Sequence, residues 1–98
     1  MCYIEILEIR VSQNHKMAFQ KELDMMMKEI RDEGTVFTMQ SYYRGSSGTD
    51  YLLVLHHKER LDDQRGSKIG QVLMDAFALY GMIHHSIWYE WNMVVNKI

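Results

Sequence analysis

The sequence predicts an α+β domain: one antiparallel sheet of four strands with two helices on one of its faces, in the order β-α-β-β-α-β. Three observations predict it. β-rich alternating runs stand at both ends of the chain and as a pair in the middle. Amphipathic helical periodicity fills the two intervals between them. The turn-rich stretches, Gly45-Ser46-Ser47-Gly48 and Lys58 to Ser67, read as loops inside one domain and not as linkers. The 98 residues, 47% hydrophobic and 24% charged, suit a single folded unit over 1–98.

The first strand is the run from residue 2 to residue 11, with Tyr3, Ile4, Ile6, Leu7, Ile9 and Val11 around Glu5, Glu8 and Arg10. Its alternation slips at Ile6-Leu7, which predicts either a bulge or a strand covered on both faces. From Ser12 to Glu33, Phe19, Leu23, Met26, Met27 and Ile30 fall at helical spacing. Ser12 or Asn14 is placed to cap the first amides, and Gly34 to end the helix. Thr35 to Arg44 and Tyr51 to His57 flank the Gly/Ser turn and read as a hairpin. After Ser67, the stripe Ile69, Val72, Leu73, Ala76, Phe77, Tyr80 and Ile83 predicts a second helix. Ile87, Tyr89, Trp91, Met93 and Val95 alternate with polar and aromatic residues as a closing strand. This order is the ferredoxin-like split βαβ arrangement.

Two helices cover one face of such a sheet, yet alternation gives the other face Val36, Tyr42, Leu52, Val54, Trp88 and Val94. That much apolar surface calls for a cover. Stacking two sheets about a two-fold axis supplies it, so a homodimer is expected.

Eleven Lys and Arg against 13 Asp and Glu leave a formal charge of −2 without a basic cluster, which argues against nucleic acid and anionic membranes as partners. No run reaches the roughly 20 apolar residues of a spanning helix, and the charged N-terminal run does not read as a signal peptide. A single cysteine, Cys2, cannot form an internal disulfide. The chain is therefore expected in the cytoplasm.

Histidine is the most suggestive residue type, since four of the five occur as the pairs His56-His57 and His84-His85. Neighbours on a strand point to opposite faces, so neither pair can act as a two-pronged ligand. No zinc-like spacing of Cys, His and carboxylate accompanies them, and no metal is expected; they read as solvated or dipole-stabilised histidines at strand and helix ends. No serine lies in a Gly-x-Ser-x-Gly turn, and no glycine loop opens a helix as a phosphate cradle. Glu5 and Glu8 read as solvated charges. The aromatic residues Phe37, Tyr43, Phe77, Tyr80, Tyr89 and Trp91 are expected to converge between sheet and helices. There they form either ordinary core or a pocket for a flat apolar molecule.

With Glu33-Gly34 leading into Thr35 to Arg44, followed by Tyr51 to Lys58, the chain resembles the dimeric α/β-barrel superfamily, in its antibiotic-biosynthesis-monooxygenase-like branch. The resemblance spans the whole chain and is mainly architectural. Many members carry a tryptophan near the end of the third strand, often after a glutamate; here Leu55 and His57 stand at those places. The resemblance implies an oxygenase that needs no cofactor, acting on a small aromatic or phenolic substrate. It makes His57 the candidate base and Tyr43, Phe77, Tyr80 and Trp91 the candidate substrate contacts. A haem-degrading branch uses an asparagine, a tryptophan and a helical histidine where this chain has Leu7, His57 and no helical histidine before His84, so that activity is not expected. The alternative is a non-catalytic small-molecule-binding or dimerisation module of the same fold.

Overall fold

The computed structural model describes residues 3–32, 38–46, 48–57 and 66–91. Strand β1 is Tyr3–Val11, α1 Lys16–Asp32, β2 Thr38–Tyr43, β3 Asp50–His57, α2 Lys68–Phe77 and β4 Gly81–Tyr89. The strands form one sheet in the order β2-β3-β1-β4, with every neighbouring pair antiparallel. This is the expected β-α-β-β-α-β order and a ferredoxin-like fold.

The slip in β1 is resolved in favour of two covered faces. Register runs unbroken from Tyr3↔His57 to Arg10↔Asp50 on one side and from Tyr3↔Tyr89 to Val11↔Gly81 on the other, so there is no bulge. Tyr3, Glu5, Leu7, Ile9 and Val11 are buried on the helix side, while Ile4 and Ile6 are half-buried on the opposite side. The chain then makes a 3-10 turn at Gln13–His15 before α1. Ser12 does not cap a backbone amide; its Oγ lies 2.9 Å from His15 Nδ1. Gly34, the expected helix stop, lies outside the described residues.

The core joins Leu7, Ile9 and Val11 of β1, Phe19, Leu23 and Ile30 of α1, Tyr51, Leu53 and Leu55 of β3, and Leu73 and Phe77 of α2. Each fully buried Leu or Phe side chain contributes about 1.5–3 kcal/mol by leaving water. Phe19 is its hub, with ring centres 4.6 Å from Tyr51 and 5.0 Å from Phe77.

Helix α2 and the last strand depart from the sequence reading. The apolar stripe suggests a helix running to Ile83 and a strand from Ile87, but α2 ends at Phe77 and β4 already begins at Gly81. Tyr80 and Ile83 do pack against the core, from a turn and from a strand. Gly81 permits the early crossing, because a Cβ there would collide with the carbonyl oxygen of Arg10. As a result His84 and His85 lie within β4 and not at a helix end. Val94 and the rest of 92–98 lie outside the described residues, as do Val36 and Cys2.

The helix-free face of the sheet is apolar at its centre. Ile4 and Ile6 of β1 stand beside half-buried Leu52 and Val54 of β3. Tyr42 of β2 and Trp88 of β4 lie further out and are exposed.

Candidate active site at a buried glutamate between two histidines

Alternation along β1 puts Glu5 on the helix side, between Tyr3 and Leu7, and its side chain is fully buried. Solvation, the expected state of Glu5, is thereby overturned. Its register partners are Leu55 and Ile87, which leaves the two diagonal positions on the same face to His57 and His85. His57 is opposite Tyr3, and His85 is opposite Leu7. A long side chain reaches such diagonal neighbours readily. His57 Nε2 lies 2.7 Å from Glu5 Oε1 as an ion-pair contact without hydrogen-bond alignment. His85 Nε2 lies 2.8 Å from Oε2 in a hydrogen bond.

The start of α2 closes the site from above. Ser67 donates its backbone N–H to Oε2 at 3.1 Å and its hydroxyl to Oε1, while its Oγ accepts from Gly70 N at 3.0 Å as the helix cap. Two glycines make this approach possible. A Cβ at Gly70 would overlap Glu5 Oε2, and one at Gly66 would stand 2.6 Å from the same oxygen, in a backbone already at φ 108°. The carboxylate therefore takes three hydrogen bonds, from the Ser67 amide, the Ser67 hydroxyl and His85, and faces the His57 ring and the N-terminal end of a helix dipole.

Burial by itself pushes the Glu5 pKa up. The Ser67 hydroxyl, His85, the Ser67 amide and the charge of His57 together outweigh it and hold the carboxyl below its ordinary value. Glu5 is thus an ionised group at neutral pH, and an ionised carboxylate only accepts, so His85 turns an Nε2–H toward it. Such a carboxylate fixes the tautomer and orientation of a histidine, as acid–base sites require.

Of the residues singled out from sequence, His57 joins this cluster, with its ring stacked 4.4 Å from Tyr3. Of the six aromatic residues, Phe37 lies outside the described residues, and the other five do not come together. Phe77 is in the core, Tyr80 is half-buried beside Phe19 at 6.1 Å, Tyr43 is 72% exposed at the end of β2, and Trp91 is 91% exposed beyond β4. Tyr89 is 52% exposed, with its ring centre 6.0 Å from that of Tyr3. Two cavities lie away from this cluster, one of about 620 Å³ around Arg10, Tyr42, Asp50, Leu52 and Met82, and one of about 240 Å³ between Gln20, Leu23 and Tyr43.

A solved structure from Deinococcus radiodurans, described as a "putative antibiotic biosynthesis monooxygenase", matches over 98% of both chains with a TM-score of 0.65 and 15% identity. This chain shares its ferredoxin-like fold. At that identity the likeness is one of fold. No family model matches the sequence, and no curated protein matches it. Among the described residues of this ferredoxin-like domain, no group of three or more His, Cys, Asp and Glu is arranged to hold a metal ion. None of their helices is long and apolar enough to cross a membrane.

Sequence reasoning missed Glu5 and His85. The available signal was positional: in the series Tyr3, Glu5, Leu7, Ile9 the glutamate is the one polar member of an inward-facing set. A buried carboxylate demands partners.

Proposed function

We propose that the chain is an oxygenase for a small aromatic or phenolic substrate, in which His57 is the base and the substrate anion supplies the electrons. The observation that carries this reading is the buried, ionised Glu5 held against His57, on a fold shared with a protein described as a monooxygenase. For a substrate with an activated methylene, of the anthrone class, His57 takes a proton to form the carbanion. The carbanion adds dioxygen through electron transfer and recombination, and the peroxide anion recovers the proton from His57. Loss of water then breaks the O–O bond and the remaining C–H bond, leaving a carbonyl. One dioxygen takes four electrons from carbon and ends as one carbonyl oxygen and one water.

Oxygen consumption with a panel of anthrones and hydroquinones tests the reading. Turnover is expected with at least one member, and His57→Ala, assayed at a temperature where circular dichroism shows it folded, should lower kcat by about 10²–10⁴-fold, the usual worth of a general base. A panel that neither binds nor reacts ends the proposal.

The same reading includes a homodimer. Ile4, Ile6, Leu52, Val54, Tyr42 and Trp88 make one apolar face without a helix, and a second copy laid on it about a two-fold axis would bury that face. Light scattering should return twice the mass of the chain. Val54→Lys, whose side chain does not enter the helix-side core, should return one copy; a wild-type monomer at micromolar concentration would refute the pairing.

A second reading is favoured by the packing of Phe19, Leu53, Leu73 and Phe77, all completely buried between sheet and helices. On that reading the chain is a dimerisation module without turnover. It predicts a dimer that consumes no oxygen with any of the panel.

A further inference from the structure

We infer that the cavity of about 620 Å³ on the helix-free face of the sheet is a second binding site, which takes a small hydroxylated aromatic carboxylate. It lies across the sheet from Glu5 and His57 and does not rest on the oxygenase reading. Alternation along β1 sends Glu8 and Arg10 to that face. Register then sets out two rows of side chains. Tyr42, Leu52 and Glu8 form one across β2, β3 and β1; Asp50, Arg10 and Met82 form the next across β3, β1 and β4. Arg44 extends the second row past the end of β2, where its amide donates to the Asp50 carbonyl at 2.8 Å. The volume falls within the range of about 300–1,000 Å³ that small-molecule sites occupy.

The second row carries one cation in excess. Asp50 holds both guanidinium groups by Nε, that of Arg10 at 3.5 Å from Oδ1 and that of Arg44 at 3.1 Å from Oδ2. The two terminal nitrogens of each guanidinium carry four further N–H donors, in the planar fork that matches a carboxylate. One carboxylate cannot neutralise two such groups, so this end calls for a second, which the ligand supplies. The first row asks for the opposite. The Glu8 carboxylate offers acceptors and would repel another acid, whereas a hydroxyl can donate to it. Between the two ends, half-buried Leu52 and the ring of Tyr42 make an apolar floor, and exposed Met82 an adaptable wall. The Tyr42 ring is steadied by the hydrogen bond that its hydroxyl donates to Gln40 Oε1 at 2.9 Å. Side chains two residues apart on a strand are roughly 6.7 Å apart, which suits a benzene ring bearing a carboxylate at one end and a hydroxyl at the other.

The homodimer proposed above draws mainly on the neighbouring rows, Val54 with Ile6 and Ile4 with Trp88. A row of charges is costly to take out of water, so that pairing leaves the cavity at its rim, with Leu52 and Tyr42 on the border.

The test is an amide NMR titration of the whole chain with 4-hydroxybenzoate, benzoate and L-phenylalanine. 4-Hydroxybenzoate should bind most tightly, about tenfold tighter than benzoate, with shifts centred on residues 8–10, 42–44, 50–52 and 82–84. Arg10→Gln and Arg44→Gln should each weaken both benzoates by about tenfold or more, and Glu8→Ala should erase the advantage of 4-hydroxybenzoate. All three side chains are exposed and lie outside the core, so these variants should fold.

No shift at millimolar ligand overturns the inference, as do affinities that ignore both arginine substitutions. Tighter binding of L-phenylalanine, whose ammonium sits beside its carboxylate, overturns the ligand class. Shifts centred on His57, Ser67 and His85 overturn the placement. Oxygen consumption reports on the other face of the sheet, so the failure of either reading leaves the other standing.

Discussion

Glu5→Ala is expected to destabilise the domain by about 3–5 kcal/mol, the usual cost of removing one partner from a buried ionic cluster. Single domains are stable by only about 5–15 kcal/mol, so the variant should be largely unfolded at mild urea concentrations where the wild type is folded. The cost has a specific origin. Without the carboxylate, which is itself fully buried, the Ser67 amide, the Ser67 hydroxyl and His85 lose their acceptor and His57 loses its ion-pair partner.

Glu5→Gln keeps the volume but leaves an NH₂ facing donors where an oxygen accepted, and about 1–3 kcal/mol of destabilisation is expected. The two variants also differ from the wild type in acid. The folded Glu5 pKa lies below the ordinary value near 4.5, so between the two values the unfolded chain binds a proton that the folded chain refuses. The stabilisation from Glu5 is complete above the ordinary value and is lost as pH falls through the folded one. Urea midpoints across roughly pH 2 to 6 should fall on acidification in the wild type, and this component should vanish in Glu5→Gln. Equal acid sensitivity in both proteins would show that Glu5 is not the linked group.

Phe77→Ala is the second large effect, expected to cost about 3–5 kcal/mol as a core truncation. Phe77 is completely buried and packs edge-on to Phe19 at 5.0 Å, so its removal opens a void that Leu53, Leu73 and Phe19 cannot close without moving. A ring lining an open substrate pocket would cost a small part of that, because one of its sides already faces solvent. Urea denaturation therefore separates core from pocket at this position. Loss of under about 1 kcal/mol would restore Phe77 as a candidate substrate contact.

The order of elements was legible because local periodicity is a local property: β1, α1 and the central hairpin each carry their pattern within a few residues. The end of α2 was not. Tyr80 and Ile83 continue a helical stripe on paper, yet they reach the same core from a turn and from β4, so side-chain spacing alone cannot distinguish the two routes. The histidines suffered from the same misplacement, since moving His84 and His85 from a helix end into a strand is what brings His85 to Glu5. His57 could be singled out because the resemblance marked its position on the third strand. Glu5 could not, because its meaning depends on Ser67 and His85, which are 62 and 80 residues further along the chain. Proximity of that kind has no local trace.

The central place of β1 has a kinetic consequence. Among the described strands it is made before either partner, and one of its hydrogen-bonding edges waits for β3 and the other for β4. Closing such long loops makes folding slow relative to its stability. A nascent chain stalled before β4 would hold out a bare, greasy strand edge to any neighbour, so the risk of aggregation lasts until β4 has been made.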